Sequence, residues 1–287
     1  VGGMVGRLDD LGELLVGIEA EGANAMVEIG LTDGAGSLDR MHEMKLSTRN
    51  GRRVFDLGAD ITTIDGHLAR DPALAWGFYG HRLALYRRTV PHAGFAMLQQ
   101  VGAALRSGLF VFTSNVDGQF QKAGFDAQAL VEVHGSIHHL QCQRGCHGEI
   151  WPADGFEPKV AEDDCRLLNE PPRCRHCGEI ARPNILMFDD WNWLGSRTAS
   201  QESRLDDWLR GQHRPPLTVE IGAGTNVITV RSFAEVIGGA LIRINPEPES
   251  ALPAGALHLR CGALEGIAAI HRALAAADFF NLAPPAA

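Results

Sequence analysis

The stretch Leu109–Phe110–Val111–Phe112–Thr113–Ser114–Asn115–Val116–Asp117–Gly118 sets the reading of the whole chain. Four consecutive apolar residues, two of them aromatic, are the kind of short run that a parallel sheet buries on both faces. Polar residues follow at once. Open α/β sheets bind ligands at the carboxyl ends of their strands, so Thr113 to Asp117 stand where a site is expected.

Working outward, Leu130–Val133 reads as a further strand, and it delivers His134–Gly135–Ser136. Strand-like runs recur at Asn184–Phe188, Leu217–Ile221 and Leu241–Ile244. Helical stretches alternate with them. Asp71 serves as a cap and Pro72 sits in the first turn of a helix running to about Tyr86. Pro91 ends it, and Ala93–Leu105 forms the next. Ser232–Ile237 and Leu264–Ala276 read the same way. This alternation predicts an α/β fold, a doubly wound parallel sheet of Rossmann-like type. Upstream, Leu8, Leu11, Leu14, Leu15 and Ile18 recur at helical spacing. From about Thr32 to Asp65, Gly, Asp, Arg and Ser interrupt every apolar run, and a loop is expected. The tail from Leu282 is expected to fray.

The 287 residues suit one large domain carrying a small one, and 45% hydrophobic with 21% charged residues is ordinary for a globular protein. The net charge of −9, without a long Lys/Arg run, argues against nucleic acid or an anionic membrane as partner. No apolar run approaches the roughly 18 residues of a membrane span. The N-terminus lacks a basic-then-apolar signal, which places the protein in the cytoplasm. There its six cysteines need a reason other than disulfides.

Cys142-x3-Cys146 and Cys174-x2-Cys177 form two knuckles. Zinc takes four thiolates tetrahedrally, and such short gaps let one turn present two sulfurs to one ion. Gly145 and Gly178 suit the tight turns. His147, His176 and Cys165 compete for a ligand position, while Cys261 is adequately explained as a small apolar residue. Four sulfur ligands leave no open position, so one structural zinc per chain is expected. The chain divides accordingly into an atypical N-terminal segment (1–66), a nucleotide-binding domain (67–140 and 183–287) and an inserted zinc module (141–182).

Several segments, in one order, resemble the sirtuin family of NAD-dependent protein-lysine deacetylases. Thr113–Asp117 with Ala123–Gly124 resembles its Thr-Gln-Asn-Ile-Asp segment and downstream Ala-Gly. Val133–Ser136 resembles the catalytic His-Gly segment that precedes the first zinc cysteines. Ile185–Asp190 is similar to the Val-x-Phe-Gly-Glu segment bordering the acyl-lysine cleft, beside which the resemblance also puts Trp191 and Trp193. Taken without it, those tryptophans read as loop packing. Gly224–Thr225–Asn226, Ile244–Asn245 and Cys261–Gly262–Ala263 fall at the family's remaining nucleotide contacts. The match covers roughly residues 71 to 275.

The resemblance implies NAD as cofactor and an acylated lysine in a protein as substrate. It implies His134 as general base, with Asn115 and Asp117 at the nicotinamide ribose. Thr113, Ser114, Gly222, Gly224, Thr225, Asn226, Asn245, Cys261, Gly262 and Ala263 would contact the cofactor, and Leu186, Phe188 and Asp189 the substrate. The residue types suit that chemistry. Imidazole is a base near neutrality, and glycines admit close backbone approach.

Some positions depart from the family pattern. Ser114 replaces a glutamine, Gln119–Phe120 replaces Leu-His, and Asp189 replaces a glycine. The family opens with Gly-Ala-Gly and a later Pro-Asp-Phe-Arg, of which only Gly34–Ala35–Gly36–Ser37 has a counterpart. Weak NAD binding and low activity are therefore expected. Two rival readings are a sirtuin-fold protein acting only by binding a nucleotide or partner, and another NAD-consuming enzyme such as an ADP-ribosyl transferase or NAD hydrolase.

Overall fold

The computed structural model describes residues 25–29, 45–49, 52–57, 68, 70–161, 166–187, 190–224, 227–248 and 252–282. The expected helix around Leu8–Ile18, the Gly34–Ser37 stretch, Cys165, Phe188, Asp189, Thr225, Asn226 and the last five residues lie outside them.

Six parallel strands form the main sheet. They are β1 (Ala25–Ile29), β4 (Leu109–Thr113), β5 (Leu130–Glu132), β9 (Leu217–Ile221), β10 (Leu241–Ile244) and β11 (Leu257–Leu259). Their order is β11-β10-β9-β1-β4-β5. The apolar run at Leu109 thus lies inside a parallel sheet, and Phe110 to Thr113 are all buried. Side chains alternate across it as period-two geometry requires. Phe110 and Phe112 face a cluster with Leu205 and Val230, while Val111 faces Phe120 and Leu130.

The central strand comes from a segment that sequence patterning left unassigned. β1 pairs with β4 on one side and β9 on the other, with Ile29 level with Thr113 and Ile221. The expected loop from Thr32 to Asp65 is also corrected. It contains an antiparallel pair, β2 (Lys45–Arg49) and β3 (Arg52–Leu57). Lys-Leu-Ser-Thr-Arg and Arg-Arg-Val-Phe-Asp-Leu are too charged to show an apolar run. The Asn50–Gly51 dipeptide between them was the available hairpin signal.

Helices cover both faces of the sheet. Downstream of α1 (Pro72–Arg88), α2 (Ala93–Ala104) and α6 (Ala263–Ala276) pack against β9 and β10 through Leu98, Ile267, Ile270 and Leu274. On the other face α4 (Ser196–Arg210) and α5 (Thr229–Ile237) bring Leu205, Val230 and Phe233, whose ring stacks on Phe112 at 4.1 Å. The short α3 (Gln119–Lys122) follows β4 directly, and α7 (Phe279–Leu282) closes the described chain. Within the sheet Arg243 and Glu220 form a buried two-bond pair at 2.7 and 2.8 Å. Losing either partner would strand a buried charge, which costs about 3–5 kcal/mol.

A second, three-stranded antiparallel sheet has the order β7-β6-β8, from β6 (Gly135–Cys142), β7 (Ile150–Pro152) and β8 (Ala181–Ile185). α1 packs on it. Trp76, Phe78, Tyr79 and Leu83 share one core with Ile137, Leu140, Trp151 and Ile185, and the Trp76 indole N–H donates to the Ala181 carbonyl at 2.9 Å. The cap and first-turn proline of α1 stand where the sequence puts them. The Asp71 side chain accepts from the Leu74 amide and also receives both arms of Arg166. The Arg166 guanidinium holds the Asp71 carboxyl below its ordinary range.

β8 begins and ends three residues earlier than the apolar pattern implies. Pairing with β6 draws in Ala181 and Arg182, opposite Cys142 and Gln141. Arg182 is tolerated there because its guanidinium meets both carboxylate oxygens of Asp190 and the Ile185 carbonyl.

Candidate functional site

The site residues collect at the carboxyl ends of β4, β5, β9, β10 and β11. β4 ends at Thr113, whose hydroxyl accepts from the Asn115 amide at 3.1 Å. Ser114 is buried beside it. The Asn115 Oδ1 is buried without a protein partner, an acceptor left for something other than the fold.

The Asp117 carboxylate accepts from the Gln119 amide, at the first residue of α3, at 3.0 Å. Burial pushes its carboxyl above the ordinary value, against that hydrogen bond. The neighbouring Asp117 carbonyl accepts from His138 Nε2 at 2.9 Å. His138 thus ties α3 to β6.

β5 carries the chain to His134. The Val133 amide donates to the Thr113 carbonyl at 2.9 Å, which keeps the two strand ends together. The His134 ring is buried, and its Nε2 lies 3.3 Å from the Thr229 hydroxyl at the start of α5. Burial lowers its pKa from the ordinary imidazole value, which favours the neutral ring, the form able to accept a proton.

Next to it, Gly135 has φ +79, and a Cβ there would stand 2.0 Å from the Asn184 carbonyl oxygen. Only glycine fits this crossing of β6 and β8. The Leu186 amide donates to the His134 carbonyl at 2.9 Å, bringing the segment after β8 alongside the imidazole.

Sequence reasoning missed the supports of that segment. The Asn184 side-chain amide donates to Gln141 Oε1 and to the Leu194 carbonyl. Asp190 is locked by Arg182, with both side chains 2% exposed. Their signal was an amide and charged residues inside an otherwise apolar pattern. Trp191 is 93% exposed, which does not fit the loop-packing reading that its residue type alone suggests. The loop around it is held by Asp190 and Asn184.

On the other half of the sheet the Gly222 amide donates to the Ile244 carbonyl at 2.8 Å. Gly224 follows at the end of the same turn. The Asn245 side chain donates to the Ala223 carbonyl and accepts from the Glu247 amide, linking the ends of β9 and β10. Cys261 is buried, with its thiol raised by that burial. Gly262 caps α6, whose first residue is Ala263. A cavity of about 590 Å³ opens where α3 meets β6, lined in part by Asp117, Lys122, Ser136, His138, His139 and Arg197.

The four paired cysteines lie together at the far end of β6. Cys142 Sγ is 3.6 Å from Cys177 Sγ, and Cys146 Sγ is 3.6 Å from Cys174 Sγ, so each contact joins one knuckle to the other. Zn–S bonds of about 2.3 Å in a tetrahedron require sulfurs roughly 3.8 Å apart, so the set fits zinc. The knuckle turns close through Gly145 and Gly178, both at positive φ, whose amides donate to the Cys142 and Cys174 carbonyls at 3.0 Å. Hydrogen bonds from neighbouring thiols raise the Cys146 thiol. Burial opposes ionisation of Cys174, yet the Cys177 and His176 amides bring it down to about 7. Such a cluster cannot hold four negative charges unaided, and a cation removes the conflict. Cys261 lies elsewhere in the fold, in the core under β10.

The family model described as "Sir2 family" matches residues 61–203. An NAD-dependent protein deacylase of Thermus thermophilus is 30% identical over 209 residues, covering 70% of this chain and 72% of that protein. NAD-dependent protein deacylase 2 of Pseudomonas aeruginosa is 31% identical, covering 67% of this chain and 78% of the relative. Among solved structures, a Sir2 homologue in complex with NAD superposes with a TM-score of 0.62 at 19% identity, over 92% of this chain and 94% of that one. A Sir2 protein bound to a propionylated peptide gives 0.56 at 15% identity, over 93% and 98%. At these identities the likeness concerns the fold.

Proposed function

Because the chain belongs to the Sir2 family, we propose that it catalyses NAD-dependent removal of acyl groups from lysine in protein substrates. When bound, NAD would supply an electrophilic ribose carbon for the carbonyl oxygen of the acyl-lysine, with nicotinamide as the leaving group. His134 is the general base. Its neutral ring takes a proton from a ribose hydroxyl, and the Thr229 hydroxyl beside Nε2 orients it. The unpartnered Asn115 amide oxygen and the Asp117 carboxylate meet the nicotinamide ribose, with Thr113 and Ser114 beneath them. Gly222, Gly224, Thr225, Asn226, Asn245 and Cys261 to Ala263 hold the rest of the nucleotide.

Leu186, Phe188 and Asp189 take the acyl-lysine, and of these Leu186 is tied to His134 through its amide. The four-cysteine zinc is structural, since a complete sulfur set offers no position for substrate. A cytoplasmic setting goes with the reading because the thiolates need a reducing compartment. Among the described residues no helix is long and apolar enough to cross a membrane.

The observation that carries the proposal is the buried His134, held at the strand ends by the Val133-to-Thr113 and Leu186-to-His134 hydrogen bonds. The test is nicotinamide release from NAD with and without an acetylated peptide. Release that depends on the peptide is the expected result. Release without it would replace the proposal with an NAD hydrolase or ADP-ribosyl transferase. NAD binding without turnover would replace it with a binding module, a reading favoured by the missing Asp-Phe-Arg segment.

A further inference from the structure

His147, Glu149 and His176 stand together on the surface beside the cysteine knuckles, outside the four-sulfur set. Their potential ligand atoms all lie within 4.8 Å of one another. The two imidazoles stack with centroids 4.0 Å apart and planes 16° apart, and His176 Nε2 lies 2.6 Å from Glu149 Oε2. All three are solvent-accessible, with Glu149 and His176 side chains 36% and 42% exposed.

The geometry points to a second metal site here, which takes one divalent transition-metal ion of the zinc class through His147, Glu149 and His176. Two imidazole nitrogens and a carboxylate are the donor set of open zinc, cobalt, nickel and copper sites, in contrast to the closed thiolate set next door. Three protein ligands leave solvent in the remaining positions, so the ion exchanges more readily than the structural one.

Two features favour the site. The ligands come from both knuckles and from the lead into β7, so folding of the module brings them together. A zinc ion with four thiolates carries a formal charge of −2, which attracts a second cation nearby. The Arg175 guanidinium, which acts on Glu149 electrostatically, leans over the Trp151 ring at 6.0 Å rather than lying between the ligands. His147 and His176 are exposed and Glu149 is half-buried, so the side chains have room to turn their ligand atoms towards one ion.

The experiment is metal titration of the full chain as purified, with zinc content measured after equilibrium dialysis. A parallel titration of the zinc-loaded chain uses cobalt(II). Two zinc ions per chain are expected, one tight and one weak. Cobalt entering the second site should give absorption without thiolate-to-metal charge transfer, because no sulfur is bound. The variant His147→Gln/His176→Gln should keep the tight ion and bind the weak one more than about 100-fold less well, since removing ligands costs more than removing their supports. Glu149→Gln should weaken it to a smaller degree.

One ion per chain at excess zinc would overturn the proposal, and so would an undiminished second ion in the double variant. Loss of the tight ion from that variant would also overturn it, by making a histidine part of the first site. The readout is metal content, so it stands or falls independently of deacylase activity.

Discussion

Replacing Gly135 with alanine would set a methyl carbon 2.0 Å from the Asn184 carbonyl oxygen, about half the distance such atoms tolerate. Two costs add. The φ of +79 is unfavourable for any residue with a Cβ, by about 1–2 kcal/mol. The clash is with backbone, which cannot rotate away. β6 and β8 must separate where Gly135 faces Ile185, which costs about 1–3 kcal/mol as overpacking. The adjoining Leu186-to-His134 hydrogen bond goes with it, at about 1 kcal/mol.

Gly108→Ala isolates the first cost. Gly108 has φ +69, and a Cβ there meets nothing within 4 Å. The expected losses are therefore about 3–6 kcal/mol for Gly135→Ala and about 1–2 for Gly108→Ala. In thermal unfolding of the two zinc-loaded variants, each kcal/mol corresponds to roughly 2–4 °C in a chain of this size. Gly135→Ala should also lose turnover, because the His134 carbonyl is displaced. Equal melting temperatures for the two variants would refute the argument that strand crossing, and not conformation alone, demands glycine at 135.

Four further outcomes are expected. Cys174→Ser should lower zinc from the tight site sharply, and full occupancy of that site in the variant would defeat the assignment. His134→Ala should cut deacylation by about 10²-fold or more while NAD affinity by calorimetry stays near wild type; unchanged turnover would show the base to be another group. Burial, followed by Arg197 and His138, lowers His139 to about 4 from 6.5. The unfolded chain therefore takes the proton first, and the His139 contribution is whole above pH 6.5 and lost as pH falls from 6.5 towards 4. Denaturant melts of wild type and His139→Phe across that range should show a flatter slope in the variant; identical slopes would count against it. Finally, the chain as it stands should bind NAD weakly, and replacing residues 1–65 with a typical sirtuin opening should raise acetyl-peptide turnover. Strong activity in the unaltered chain would contradict this.

The elements legible in the sequence were those whose signal is local. Leu217–Ile221 and Leu241–Ile244 are short strand-like runs in which Leu, Val and Ile outnumber the single charged residue of each, and they form β9 and β10 with those bounds. Asp71 and Pro72 announce α1 through side-chain chemistry that needs no tertiary partner. The cysteine knuckles are legible for the same reason, because two sulfurs a turn apart form half a zinc site by themselves.

What only the tertiary structure decided depends on contacts distant in sequence. Ala25–Ile29 becomes the central strand because β4 and β9 flank it, and nothing within those five residues requires that place. Arg182 and Asp190 look like surface charges until pairing with β6 buries them against each other. Thr229 is a helix-start residue until the fold sets it against His134, 95 positions earlier in the chain. Glu149 joins His147 and His176 only when the two knuckles close. Sequence pattern records which residues seek burial or a metal. The partner each finds is set by strand order and crossing, which no single segment encodes.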